Sequence, residues 1–257
     1  MSQNAKPLIA WNNQVLEATL TASTEALGFP RQNLQDWRPY LAWKGTGTAE
    51  QWLKLDAGVG ATVTAACLGL AGHDLASQDI SGLALKYSDD DLSWSDCLSP
   101  FAPACDRTIL KTFPSQTHRY FKLVIPSGYA SPPRLGIWFL GGQFQVPVYP
   151  ELGFDPDGQV KETEAQLSRG GNLLGVIERF TRLEFKVGFR HLAPDWCENT
   201  WKPFFAAHAL QPFFWAWDLT NHPEQVYLVR LSRPELNLPY QAGSWRSLDL
   251  ALEGLAE

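Results

Sequence analysis

The stretch RLEFKVGFR, residues 182–190, sets Leu183, Phe185, Val187 and Phe189 against Arg182, Glu184, Lys186 and Arg190. Side chains two apart on a strand share a face, so this segment reads as a strand with an apolar face toward a core and a charged face toward solvent or a partner. The same period recurs in WLKLDAG, LALKYS, RYFKLVI, GIWFLGG, QVYLVRL and RSLDLALEG, with glycine and proline as punctuation throughout. The chain is therefore expected to be mainly β. One short helix is expected, because Trp201, Phe204, Phe205 and His208 recur at helical spacing after Thr200 as N-cap. Pro203 falls in its first turn, where a missing N–H costs little.

With 257 residues, 45% hydrophobic and 19% charged, the composition is that of a packed protein with room for two domains. The prolines and Asp-Gly turn of VPVYPELGFDPDGQ place the boundary near residue 147, giving domains 1–147 and 148–257. A net charge of −6 without a basic cluster argues against nucleic-acid and anionic-membrane partners. No run of 18 apolar residues and no signal-peptide core occur, so synthesis in a cytoplasm is expected. Cys67, Cys97, Cys105 and Cys197 form no C-x-x-C pair, and no glycosylation sequon is found, which fits a reducing compartment. Buried thiols are the expectation, with a Cys97–Cys105 pairing under oxidation the alternative.

In the first half, short pieces follow one another in a set order. NLQDWRPYLAWKG carries Trp37, Tyr40 and Trp43, and the strand QWLKLDAG brings Trp52, Asp56 and Gly58. Gly72, His73, Asp74 and Leu75 make a turn, as do Ser88 and Asp90 ahead of Trp94, and Arg119, Tyr120, Lys122 and Leu123 lie on a closing strand. Over residues 15–144 this order resembles the discoidin-type domains of the galactose-binding-like superfamily. The resemblance implies a jelly-roll β-sandwich with ligand loops gathered at one end, although the terminal disulfide usual in extracellular members has no counterpart here. Trp37, Tyr40 and Trp43 would then offer a platform for a sugar ring, with His73 and Asp74 as further contacts. The alternative is that the two indoles plug the end of the sandwich and that His73 and Asp74 hold a turn.

The second half contains QPFFWAWD, residues 211–218, with four rings in five positions. As a strand it sends Phe213, Trp215 and Trp217 to one side and Phe214 to the other, so both faces carry an aromatic side chain. Cover on both faces is then needed, and a neighbouring copy is one source of it, an ordinary core strand the other. Arg182, Leu183, Phe185, Pro212, Phe213, Phe214 and Asp218 lie in a strand-helix-strand pattern over residues 168–252. That pattern resembles the tail-tube-like β-sandwich of distal tail and tail-tip proteins of long-tailed phages. The resemblance implies a structural virion component that forms or decorates a ring at the tail end, with copies of itself and other tail proteins as partners. Phe213, Trp215, Trp217, Phe185 and Phe189 are the candidate interface or core residues of that ring. A carbohydrate-binding module for host-surface glycans is the other functional reading.

No catalytic constellation is found. The histidines His73, His118, His191, His208 and His222 are scattered, no P-loop or G-x-S-x-G elbow occurs, and GTGTAE lacks the third glycine of a dinucleotide fingerprint. No enzyme activity, cofactor or metal is therefore expected. DDDLSWSD places Trp94 where a calcium loop needs glycine, which favours a hairpin turn and leaves a calcium ion near Asp89 as the lesser alternative.

Overall fold

The computed structural model describes residues 6–241 and 243–255. The chain is mainly β and falls into two compact units, Met1–Gln145 with Phe214–Val226, and Val146–Phe213 with Tyr227–Glu257. The break after Gln145 lies close to the expected boundary. The return of 214–226 to the first unit was not expected from sequence.

The first unit is a sandwich of two antiparallel sheets. One contains β1 (Leu8–Trp11), β5 (Val63–Ala71), β8 (Ile109–His118), β11 (Ile137–Gln145) and β14 (Phe213–Ala216) in the order β14-β1-β11-β5-β8. The other contains β2 (Thr19–Ala22), β4 (Gln51–Asp56), β6 (Ala84–Ser88), β7 (Ser95–Asp96) and β9 (Tyr120–Ile125) in the order β2-β4-β9-β6-β7. A two-stranded ribbon of β3 (Trp43–Lys44) and β10 (Arg134–Leu135) completes it. The alternation read from sequence is realised on β4 and β9: Leu53, Leu55, Phe121, Leu123 and Ile125 point into a core shared with Leu68, Leu70, Trp138 and Leu140. Asp56 at the end of β4 takes two bonds from Arg119, at 2.8 and 3.1 Å, and one from the Gly58 N–H at 2.8 Å. Arg119 holds the Asp56 carboxyl below its ordinary range, and the strand-ending motif acts as a clamp.

The aromatic stretch is interior to a single chain. On β14, Phe214 and Trp215 pair with Ala10 and Ile9 of β1, and Phe213, Phe214 and Trp215 have no exposed surface. Phe214 packs on Phe139 with ring centroids 5.1 Å apart and lies over Gly69, where a methyl group would come within 2.8 Å of the ring. Trp217 is half-buried, stacks on His222 and donates its indole N–H to Gln225 at 2.7 Å. The expectation that these rings are shielded only by neighbouring copies is therefore corrected. Phe139 and Gly69 cover Phe214, and Phe204 covers Phe213.

The second unit is a sheet of β12 (Gln159–Leu167), β13 (Leu173–Leu192), β15 (Val226–Leu231) and β16 (Arg246–Leu255) in the order β12-β13-β16-β15. Leu183, Phe185, Val187 and Phe189 of β13 are buried with Leu248, Leu250 and Leu252 of β16, as the alternation predicts. Phe185 and Phe189 are thus core and not interface. Helix Lys202–His208 buries Phe204, which stands edge-on to Phe213 at 5.4 Å. It is preceded by a wide π-type turn, Cys197–Trp201, so Thr200 lies inside the helical run and is not its N-cap. Among the described residues no helix is long and apolar enough to cross a membrane.

Candidate functional site in the first unit

The five residues singled out in the first half do not form one platform. Trp43 sits on the inward side of β3, has no exposed surface, and donates its indole N–H to the Thr24 carbonyl at 2.9 Å. It closes the sandwich. Trp37 is partly buried against Phe139, with ring centroids 6.3 Å apart. Tyr40 alone presents its ring, with 66% of its surface exposed.

Two glycines set the position of that ring. A methyl group on Gly72 would stand 2.7 Å from the Pro39 carbonyl oxygen, and one on Gly136 would stand 2.3 Å from it. Only glycine lets the backbone before Tyr40 lie down on these strand ends, and Gly72 also has a positive φ of 64°. The Gly136 N–H donates to the Gly72 carbonyl at 3.0 Å, which fixes the two supports together. The Tyr40 loop is thus pinned from below.

His73 and Asp74 are turn residues beneath this surface. The His73 side chain is enclosed and its Nδ1 accepts from the Leu75 N–H at 3.4 Å. Burial pushes its pKa down to about 4, so the ring is neutral at pH 7. Asp74 Oδ1 accepts the Arg134 N–H at 2.8 Å, and burial raises its carboxyl above the ordinary range. Asp74 ties the turn to β10, and His73 holds the turn's own backbone.

Around Tyr40 the structure adds residues that sequence patterning passed over. The Arg38 guanidinium stands 5.9 Å from the Tyr40 ring centroid and is held by Asp36 through bonds of 2.8 and 2.6 Å. The Arg134 guanidinium reaches the Tyr40 carbonyl at 3.3 Å, and Lys44 is the cross-strand partner of Arg134. The signal for Arg134 and Lys44 was hidden because each belongs to a strand of two residues, too short for a period to show.

The acidic turn after β6 has its carboxylates engaged. Asp89 meets His118 at 2.9 Å, Asp90 accepts from Ser88 and from the Leu92 and Ser93 N–H groups, and Asp91 pairs with Lys54 at 2.5 Å. This is a capped hairpin turn, and no group of three or more metal-ligating side chains occurs among the described residues.

No family model matches the chain, and no curated protein does. Solved structures similar to it include carbohydrate-binding modules. Chitosan-binding module 1 from a Paenibacillus sp. IK-5 chitosanase/glucanase is 18% identical, spanning 51% of this chain and all of that one at a TM-score of 0.43. CpGH89CBM32-5 of Clostridium perfringens, in complex with GalNAc-beta-1,3-galactose, is 15% identical over 49% of this chain and 95% of that one, at 0.42. A pectin-binding module is 16% identical over 51% of this chain and 93% of that one, at 0.41. At such identities and scores the chemistry of those sites stays with those proteins. They offer no counterpart to the tail-tube-like pattern of the second half.

Proposed function

We propose that the first unit binds carbohydrate at its loop end, and that the protein works by binding and not by catalysis. The observation that carries this reading is the exposed Tyr40 ring, clamped through Pro39 on Gly72 and Gly136 and flanked by the Arg38 and Arg134 guanidinium groups. A pyranose has an apolar C–H face and a rim of hydroxyls. An open ring stacks on the first, and fixed N–H groups donate to the hydroxyl oxygens of the second. Because the loop is already pinned, little ordering cost remains to be met on binding. A glycan array followed by calorimetry on the full chain tests this. Tyr40→Ala is expected to weaken the bound glycan at least about tenfold while the melting temperature stays put. Silence across the array, or undiminished affinity in Tyr40→Ala, would sink the reading.

A second reading, assembly into a ring at the end of a phage or phage-derived tail, is favoured by one feature of the second unit. Among the described residues β16 pairs with β13 from Arg182 onward, and the β12–β13 hairpin runs past that point. On this arm Leu167, Leu173, Leu174, Val176, Ile177 and Phe180 are each at least half exposed. A long apolar hairpin without a covering strand is a template for another chain. In this reading the chain is made in the bacterial cytoplasm and joins copies of itself and adjoining tail proteins in the virion. Mass photometry at micromolar protein should then show oligomers that are lost in the Ile177→Glu, Phe180→Glu double variant. A strict monomer that joins no tail partner removes the reading.

A further inference from the structure

We propose that Arg134 and Lys44 form an anion subsite beside Tyr40, so that the saccharide bound at the loop end is an acidic one carrying a carboxylate. The proposal rests on the carbohydrate reading above and narrows it to a class of sugar.

The argument begins with the ribbon. Arg134 of β10 is directly opposite Lys44 of β3, while their neighbours Leu135 and Trp43, also opposite one another, are buried in the core. The two cations therefore share the outward face. Side chains directly opposite on antiparallel strands have Cβ atoms about 5 Å apart, and like charges placed so repel. Five other cations of this unit are neutralised, Lys54 by Asp91, Lys86 by Asp96, Arg119 by Asp56, Arg31 by Glu25 and Arg38 by Asp36, while Lys111 and Lys122 lie over the Phe101 and Trp94 rings. Among the described residues neither Arg134 nor Lys44 has a carboxylate within ion-pair distance, and the Arg134 guanidinium has only the Tyr40 carbonyl.

The nearest acid does not fill the gap. Asp74 is half-buried behind the ribbon and spends Oδ1 on the Arg134 N–H. Asp106 is turned to the Ala76 and Ser77 N–H groups at 2.8 and 3.1 Å. A pair of cations without a close ion-pair partner thus faces outward, Lys44 feeling the Asp74 charge only at longer range, with one guanidinium anchored at the residue that carries the open ring. A carboxylate fits the planar fork of a guanidinium through two parallel bonds, and an ammonium beside it adds a further donor. A sugar whose ring face lies on Tyr40 and whose carboxylate reaches the ribbon uses all three groups.

The probes are an oligogalacturonate, the neutral galacto-oligosaccharide of the same length, and its sulfated form, each titrated into the full chain at low and moderate salt. The oligogalacturonate is expected to bind at least about tenfold tighter than the neutral sugar, and to lose that margin as salt rises. Lys44→Gln, checked for an unchanged melting temperature, should bring it down to the neutral sugar's affinity while leaving the neutral sugar unaffected, whereas Arg134→Gln should weaken both sugars and the acidic one more. Should one variant fail to fold, the other carries the comparison. Equal affinity for acidic and neutral sugars overturns the subsite and leaves the carbohydrate reading standing. A preference for acid untouched by either variant also overturns it, and tighter binding of the sulfated sugar overturns the assignment to carboxylate. If no sugar binds at all, both readings fall together.

Discussion

Trp43 and Tyr40 lie on the same loop-to-strand passage, yet one is a core residue and the other a surface ring. Trp43→Ala would remove a fully buried indole and its bond to Thr24, a loss of about 3–5 kcal/mol in unfolding free energy. Denaturant melts should show this, whereas Tyr40→Ala should leave them unchanged. His73 gives a second residue-scale expectation. Its folded pKa of about 4 lies below the ordinary 6.5, so the unfolded chain holds the extra proton between these values. The stability that neutral His73 contributes is complete above about pH 6.5 and is lost as the pH falls toward 4, a change of at most about 3 kcal/mol. The stability gap between the protein and His73→Gln should therefore narrow from pH 7.5 to pH 4.5. Parallel curves across that range would refute it.

At the scale of elements, the fit of β14 into the first unit depends on the missing side chain at Gly69. Gly69→Ala would drive a methyl group into the fully buried Phe214 ring and is expected to cost about 1–3 kcal/mol. Adding Phe214→Leu should recover part of that loss, a coupling that a double-mutant cycle on denaturant midpoints would measure. Long strands with clean alternation, β4, β9 and the later half of β13, were legible because period 2 over six or more residues leaves little choice of face. The ribbon of β3 and β10 was not legible, since two residues carry no period. Its importance comes from what it sets opposite one another, Lys44 and Arg134.

For the molecule as a whole, the first unit is discontinuous in sequence. A fragment 1–147, the domain the sequence suggests, lacks β14, which pairs with β1 and covers Phe139 and Gly69. We expect this fragment to bind a dye for exposed apolar surface and to melt well below the intact chain. Sharp amide dispersion in its NMR spectrum, with native-like melting, would show that β14 is dispensable.

The sequence by itself determined the β character and the apolar faces of the long strands. These follow from side-chain alternation and backbone sterics, which act between residues close along the chain. The tertiary structure alone decided that Trp43 plugs while Tyr40 presents, that QPFFWAWD completes an earlier sheet, and that Arg134 meets Lys44. Each of these is a pairing between distant segments, fixed by which surfaces bury best together once the sheets close, and no local pattern encodes it.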